Sequence, residues 1–321
     1  MSGVSLRRGL REGDLAALSA LTATSPTAPL GPGRLEELLL APGQEVRAVH
    51  VAEQDGVPVG YVHLAAEAVG AREAWIVSGA VAPQERGRGI GTMLLRAVLE
   101  EARALGARTV RVSGRPQGYA APGVDAERDP GTARFLEARG ARAGGPALAM
   151  HRTLHDLVPA TIDTAGEPTA PRVRACTPEA LPALLDLTSE HLAPDWAGTL
   201  ARYAAEGGAL ERILLAEEPD GTPLGFACWG VVGRDPTRFG PFGVVPAARG
   251  RGAGAALLDG ALRAMAAEGL AHAWFLWTAP DTPAHRLYLA RGFTPLRTFT
   301  PYRIDLGDEH PGTTSPEGQA R

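Results

Sequence analysis

The sequence predicts a mixed α/β protein built from two copies of one domain, each a partly antiparallel sheet with helices on both faces. Three observations carry this. The stretch "VAPQERGRGIGTMLL" (Val81–Leu95) returns as "VVPAARGRGAGAALL" (Val244–Leu258), with Pro83 and Pro246, Arg86 and Arg249, Gly89 and Gly252, and Gly91 and Gly254 all at one constant spacing. Each half also runs in the same order: helix, strand hairpin, strand, glycine loop, helix, strand, helix. Finally, 321 residues, 45% of them hydrophobic and 21% charged, supply material for about two ordinary globular cores.

In the first copy a short strand near Val4–Arg7 precedes a helix from about Asp14, a capping residue type. "EVRAVHVAE" (Glu45–Glu53) and "VGYVHLAAE" (from Val59) flank the turn Gly56–Pro58 and read as a hairpin. "REAWIVSGAVAP" (Arg72–Pro83) is a third apolar strand. A helix follows from about Arg88, with Met93, Leu94, Ala97, Val98 and Leu99 on its apolar stripe, and stops near Gly106. "TVRVSG" is a further strand, and Thr132–Gly140 a shorter helix.

The second copy opens on a helix with Thr177 as its expected cap and Pro178 at its first position. Strands are expected at Glu211–Glu217, Pro223–Val232, Phe239–Val245 and Ala273–Thr278, and helices at Arg251–Glu268 and Pro283–Gly292. The domain bounds are residues 1–154 and 172–306, with linker composition over 155–171 and a polar, disordered tail over 307–321.

Composition removes several function classes. All 32 basic residues are arginine, so neither a Gly-Lys-Ser/Thr phosphate loop nor a Schiff-base lysine is possible. A formal charge of −4 argues against nucleic acid or an anionic membrane as partner. Cys176 and Cys228 read as core thiols, the eight histidines make no metal-binding spacing, and no metal is expected. Neither a signal peptide nor a membrane span is legible, so a cytoplasmic protein, monomer or homodimer, is expected.

The glycine loops have a direct physical use. A helix start leaves four backbone N–H groups without intrahelical partners and carries about half a positive charge. Glycines remove the Cβ atoms that would keep a phosphate away, so the loop can nest a diphosphate, with Arg86, Arg88, Arg249 and Arg251 adding charge around it. At these residues the chain resembles the GNAT superfamily of N-acetyltransferases, whose acyl-coenzyme A motif is Arg/Gln-x-x-Gly-x-Gly/Ala after a Val-x-Pro strand end. It resembles in particular the tandem members, in which two such domains share one chain. The resemblance implies two tandem acyl-CoA N-acyltransferase domains with acetyl-CoA as co-substrate. It implies coenzyme contacts at Val81, Arg86, Gly87, Arg88, Gly89, Ile90 and Gly91 in the first copy. In the second copy it implies them at Val244, Val245, Arg249, Gly250, Arg251, Gly252, Ala253 and Gly254.

Acyl transfer from a thioester to an amine needs a neutral amine and is helped by a proton for the departing thiolate. "DTPAHRLYLARGF" (Asp281–Phe293) resembles the family segment whose tyrosine lies near the thioester sulfur, which implies Tyr288 as catalytic acid. Asp281 stands where the family often has Asn at a coenzyme contact. In the first copy either Leu136 or Phe135 falls at the tyrosine position, and neither has a hydroxyl. That copy is therefore expected to be catalytically degenerate, although Tyr119 lies in its longer connection. No base stands out: Glu190, His191 and Asp195 are candidates to line the acceptor site, Asp235 reads as a turn residue, and a water chain suffices. Trp274, Trp277, Phe239 and Phe242 flank the expected cleft. The expected function is acetyl transfer from acetyl-CoA to a primary amine of a small molecule, by direct attack in a ternary complex. The rivals are a protein or peptide acceptor and a non-catalytic acyl-CoA sensor.

Overall fold

The computed structural model describes residues 3–40, 46–112, 120–158, 171–233 and 235–307. The elements, in chain order, are β1 (Val4–Arg8), α1 (Asp14–Ala23), α2 (Pro32–Leu40), β2 (Val46–Gln54), β3 (Val57–Ala66), β4 (Glu73–Val81), α3 (Ile90–Ala104), β5 (Thr109–Val112), α4 (Pro130–Glu137), β6 (Arg142–Ala143) and β7 (Ala147–Thr153). They continue with β8 (Arg172–Ala175), α5 (Leu181–His191), α6 (Pro194–Ala205), β9 (Ile213–Glu217), β10 (Pro223–Trp229), β11 (Phe239–Val244), α7 (Ala253–Ala267), β12 (His272–Thr278), α8 (Pro283–Ala290), β13 (Thr294–Phe299) and β14 (Tyr302–Asp305).

Two compact units result, and both are discontinuous in sequence. The first holds Met1–Gly114, Asp129–Gly144 and Pro301–Arg321; the second holds Arg115–Arg128 and Gly145–Thr300. The repeat divides the chain near residues 154 and 172, whereas the contacts divide it elsewhere, because β7 pairs in the second unit and β14 in the first.

The first unit is one seven-stranded sheet in the order β1-β2-β3-β4-β5-β14-β6. β1 to β4 run antiparallel, and β4 pairs parallel to β5, which needs the crossover that α3 supplies. β3 is buried along nearly its whole length because it is covered on both faces. On the α3 side the sheet and helix approach so closely that a Cβ at Gly60 would sit 3.1 Å from Leu94 and 3.3 Å from Ile90. Val62 and Leu64 therefore also face α3, and Tyr61, His63 and Ala65 face the opposite side, where α1 packs on β3 and β4.

The second unit is split into a four-stranded sheet, β11-β10-β9-β8, and a three-stranded one, β12-β7-β13. This corrects the expectation of a single sheet in each copy. Aromatic rings from β11, β12 and α8 fill the seam where β11 and β12 diverge, leaving one parallel bridge, Arg238 to Trp274. Alternate residues of β9 and β10 feed two cores. Leu214, Ala216, Ala227 and Trp229 meet Leu257, Leu258, Leu262 and Met265 of α7. Leu215, Phe226 and Cys228 meet Leu184 of α5 and Leu200 of α6.

Other differences from the sequence reading are local. α2 and α6 were not expected, since Pro and Gly open or interrupt both segments. α5 starts at Leu181 rather than at Pro178, because residues 178–180 form a turn in which the Leu181 N–H donates to the Thr177 carbonyl at 3.1 Å. Residues 159–170 of the expected linker and 308–321 of the expected tail lie outside the described residues, as does Tyr119.

Candidate active site

The two glycine loops are near copies in backbone as well as sequence. β4 and β11 each run into a single 3-10 turn, Pro83–Glu85 and Pro246–Ala248. Arg86 and Arg249 follow in extended conformation, at φ −67° and ψ 154° and 150°. Gly87 and Gly250 then take φ of 76° and 79°, and Gly89 and Gly252, which cap α3 and α7, both take 87°. That left-handed backbone costs an L-residue about 1–2 kcal/mol, which is why glycine recurs at all four positions. Nothing lies within 4 Å of where a Cβ would stand at any of the four. The space above each helix start is therefore open, and the amides of residues 87–90 and 250–253 are free of side-chain cover. Neither cap residue uses a side chain to satisfy them. Such a cradle suits a diphosphate.

The arginines play two parts. Arg86 donates through Nε to the Val81 carbonyl at 3.1 Å, and Arg249 to the Val244 carbonyl at 3.3 Å, so each braces its loop against the end of its own strand. Arg88 pairs with Glu85 at 2.5 Å and Arg251 with Glu218, leaving both guanidinium groups at the loop rim, more than half exposed. Gly91 and Gly254 lie inside the first helical turn and serve packing instead. A Cβ at Gly91 would sit 3.3 Å from Phe135 of α4, and one at Gly254 would sit 3.6 Å from Leu287 of α8. That equivalence fixes the frame that the sequence left open: Phe135 matches Leu287, so Leu136 matches Tyr288.

Before each loop the strand has a free edge. β4 pairs with β5 only over Glu73–Ile76, and among the described residues no strand pairs with Val77–Val81 on that side. Among the described residues β11 likewise pairs with no strand but β10. Unpaired amide and carbonyl groups running into an anion cradle can receive an extended arm that carries amides of its own.

Tyr288 lies at the seam. Its ring is 4.4 Å from Phe275, 5.5 Å from Phe293, 6.1 Å from Phe242 and 6.3 Å from Phe239, and the residue is only 7% exposed. Four phenylalanine rings thus hold the phenol between β11 and β12. Phe239 and Phe242 belong to this cluster, whereas Trp277 is exposed. Trp274 donates its indole N–H to Asp235 at 3.1 Å, and Asp235 also accepts from the Thr237 amide and hydroxyl, so this carboxylate organises the loop before β11.

Asp281 is exposed and takes φ of 59°, a conformation that Asp tolerates better than most residues. Its amide donates to Nδ1 of His285 at 3.1 Å, and its carbonyl accepts from Arg286 at 2.7 Å. With Nδ1 accepting, the ring's donor is Nε2, a buried atom with no hydrogen-bond partner among the described residues. His285 precedes Tyr288 by three positions and shares its helix face, a spacing from which the sequence could have flagged it. Thr282 caps α8 by accepting from the His285 amide at 3.2 Å. Glu190 and His191 end α5, exposed and 3.9 Å apart, while Asp195 opens α6. Burial pushes the Cys228 thiol well above its ordinary range and also raises that of Cys176. No helix among the described residues is long and apolar enough to cross a membrane, and no group of three His, Cys, Asp or Glu is placed to hold a metal ion.

Comparison with known proteins agrees with this geometry. The model of the Acetyltransferase (GNAT) family matches residues 16–121 and again residues 181–293. A curated relative, mycothiol acetyltransferase of Kineococcus radiotolerans, is 32% identical over 259 residues, covering 78% of this chain and 80% of the relative. Among solved structures, a tandem GNAT protein from the clavulanic acid biosynthesis pathway aligns over 96% of this chain and all of its own, with a TM-score of 0.69 at 21% identity. A GCN5-related glucosamine N-acetyltransferase region of a fungal multi-domain GH3 β-N-acetylglucosaminidase aligns over 95% of this chain with a TM-score of 0.77 at 18% identity. This chain spans 38% of the length of that fungal protein.

Proposed function

The chain belongs to the acetyltransferase (GNAT) family and is an acyl-CoA-dependent acetyltransferase, and from that premise we propose that it moves an acetyl group from acetyl-CoA to a primary amine of a small molecule, by direct attack in a ternary complex within the second unit. One observation carries this reading: the open amide cradle at residues 250–253, the free edge of β11 and the phenol of Tyr288 follow one another along a single seam. The cradle holds the diphosphate of coenzyme A, the edge of β11 takes the amide-bearing arm, and the thioester comes to rest beside Tyr288. The similarity to a mycothiol acetyltransferase favours a small-molecule acceptor.

The amine nitrogen attacks the thioester carbonyl, its surplus proton passes to water, and the C–S bond breaks. Tyr288 gives its proton to the departing sulfur. A positioned general acid of this kind contributes ~10²–10⁴ in rate. β11 carries no carboxylate, which is why water is given the base's part. A thiol nucleophile is disfavoured, because burial keeps Cys228 protonated.

The test is release of coenzyme A thiol from acetyl-CoA over a library of primary amines. Amine-dependent turnover that falls at least 100-fold in Tyr288→Phe supports the proposal. An unchanged rate in that variant removes Tyr288 from the chemistry, and tight coenzyme binding with no turnover on any amine makes the chain a sensor.

A further inference from the structure

On the face of each sheet that meets its own first helices, the two copies carry opposite chemistry. In the first unit that face presents Tyr61 and His63 of β3, each only 1% exposed, and Ser78 of β4. "VGYVHLA" aligns with "LGFACWG", so the second unit presents Phe226 and Cys228 at the same places, and the repeat spacing puts Pro241 where Ser78 stands. In that unit the face is sealed. Trp196 of α6 meets Phe226 edge-on with ring centroids 6.0 Å apart, and Cys228 donates to the Pro241 carbonyl at 3.1 Å. A proton-handling set in one copy thus replaces an apolar wall in the other.

The position of the polar set is specific. His63 lies directly across from Ser78, at the bulge where β4 slips by one residue against β3. That bulge begins at Val77, where β4 also loses its partner β5, so the set sits beside the free strand edge that leads to the first glycine loop. Ser78, Ala80 and Val81 are half-exposed and Gly79 is exposed, so this edge is reachable from solvent. The Tyr61 hydroxyl and Ser78 Oγ are both buried atoms that make no full hydrogen bond among the described residues. Bulges commonly re-aim side chains beside a site.

We propose that the first unit is a second acetyl-transfer centre, for an acceptor bearing a primary amine, in which His63 is the base and Ser78 receives the amine. This rests on the reading that the glycine loops hold coenzyme A. The amine lodges against Ser78 at the free edge of β4 and attacks the thioester carbonyl. The N–C bond forms and the C–S bond breaks. His63 takes the proton from nitrogen and returns it to the sulfur, so this centre needs no counterpart of Tyr288. The absence of a hydroxyl at Leu136 then reflects a different source of the proton rather than loss of chemistry.

The test uses the full chain in a Tyr288→Phe background, which lowers second-unit turnover by ~10²–10⁴. Thiol release from acetyl-CoA over a primary-amine panel is measured alongside coenzyme A stoichiometry by calorimetry. The expected result is residual amine-dependent turnover that falls at least tenfold on adding His63→Gln, with two coenzyme A molecules still bound per chain. Gly89→Val should remove the same residual turnover together with one of the two bound molecules. If His63→Gln does not fold, Ser78→Ala in the same background should lower the turnover for the panel. A background with no residual turnover, or residual turnover indifferent to both His63→Gln and Gly89→Val, overturns the proposal and leaves the second-unit assignment standing. Should Tyr288→Phe keep the full rate and lose it on Gly89→Val, the second-unit assignment falls and the first-unit centre stands.

Discussion

The two copies share a glycine loop almost atom for atom in backbone and share very little of what surrounds it. Gly89 and Gly252 take the same φ of 87°, and Arg86 and Arg249 brace their strands in the same way. One helix further on, the second copy places Tyr288 in a ring of four phenylalanines, where the first places a buried Leu136. On the opposite side the polarity reverses, with Tyr61 and His63 against Phe226 and Cys228. Loop backbone is thus held in common while the side chains around it differ in chemistry between the copies.

Ending the chain at Thr300 tests the comparison most severely. It removes β14 and with it Tyr302, Ile304 and Leu306, all at most 5% exposed. At about 1.5–3 kcal/mol for each buried side chain, the loss rivals the ~5–15 kcal/mol by which a whole domain is stable. The first unit should lose its cooperative melting transition while β7 keeps its pairing in the second, as followed by calorimetry and hydrogen exchange. Next, Tyr288→Phe should lower kcat by ~10²–10⁴, whereas Leu136→Ala should leave second-unit turnover alone and destabilise the first unit by roughly 2–5 kcal/mol through the cavity it opens. Comparable kcat losses in the two variants would erase the distinction between the copies.

Gly252→Val combines backbone strain with a side chain in the cradle. Losing two charge-assisted hydrogen bonds, each worth about 1.5–3 kcal/mol, should weaken coenzyme A binding by ~10²–10⁴ at that copy only. Equilibrium binding should then show one strong and one weak site. The smallest effect concerns pH. Burial lowers the pKa of His50 below its ordinary value, with Glu101 opposing the shift. The unfolded chain therefore takes up a proton near pH 6.5 that the folded first unit refuses, so stability falls as pH drops below about that value. His50→Gln should flatten the acid slope of the first transition and leave the second unchanged.

Much of this was legible from residue order. Strand–glycine loop–helix units announce themselves because a left-handed backbone admits few residues, and the repeat of Arg-Gly-Arg-Gly doubled the signal. Tyr288 could be singled out because its segment keeps the Tyr-x-x-x-Gly-Phe spacing. The split of the second sheet was not, since it depends on five rings converging from three elements distant in sequence. The polar face of the first copy was hidden for a related reason: "VGYVHLA" reads as an ordinary buried strand until the packing of Ile90 and Leu94 shows which way its odd positions point. The exchange of β7 and β14 left no local trace, because a strand's pattern tells that it pairs but not with which neighbour.

That exchange has a consequence for inheritance and for engineering. Neither repeat is a detachable module: a fragment cut at the duplication boundary takes away the strand that its sibling requires and keeps one for which it has no slot. A substitution in β14 is therefore felt by the half of the protein encoded earliest, and the two copies, however far their sequences drift, must go on evolving as one.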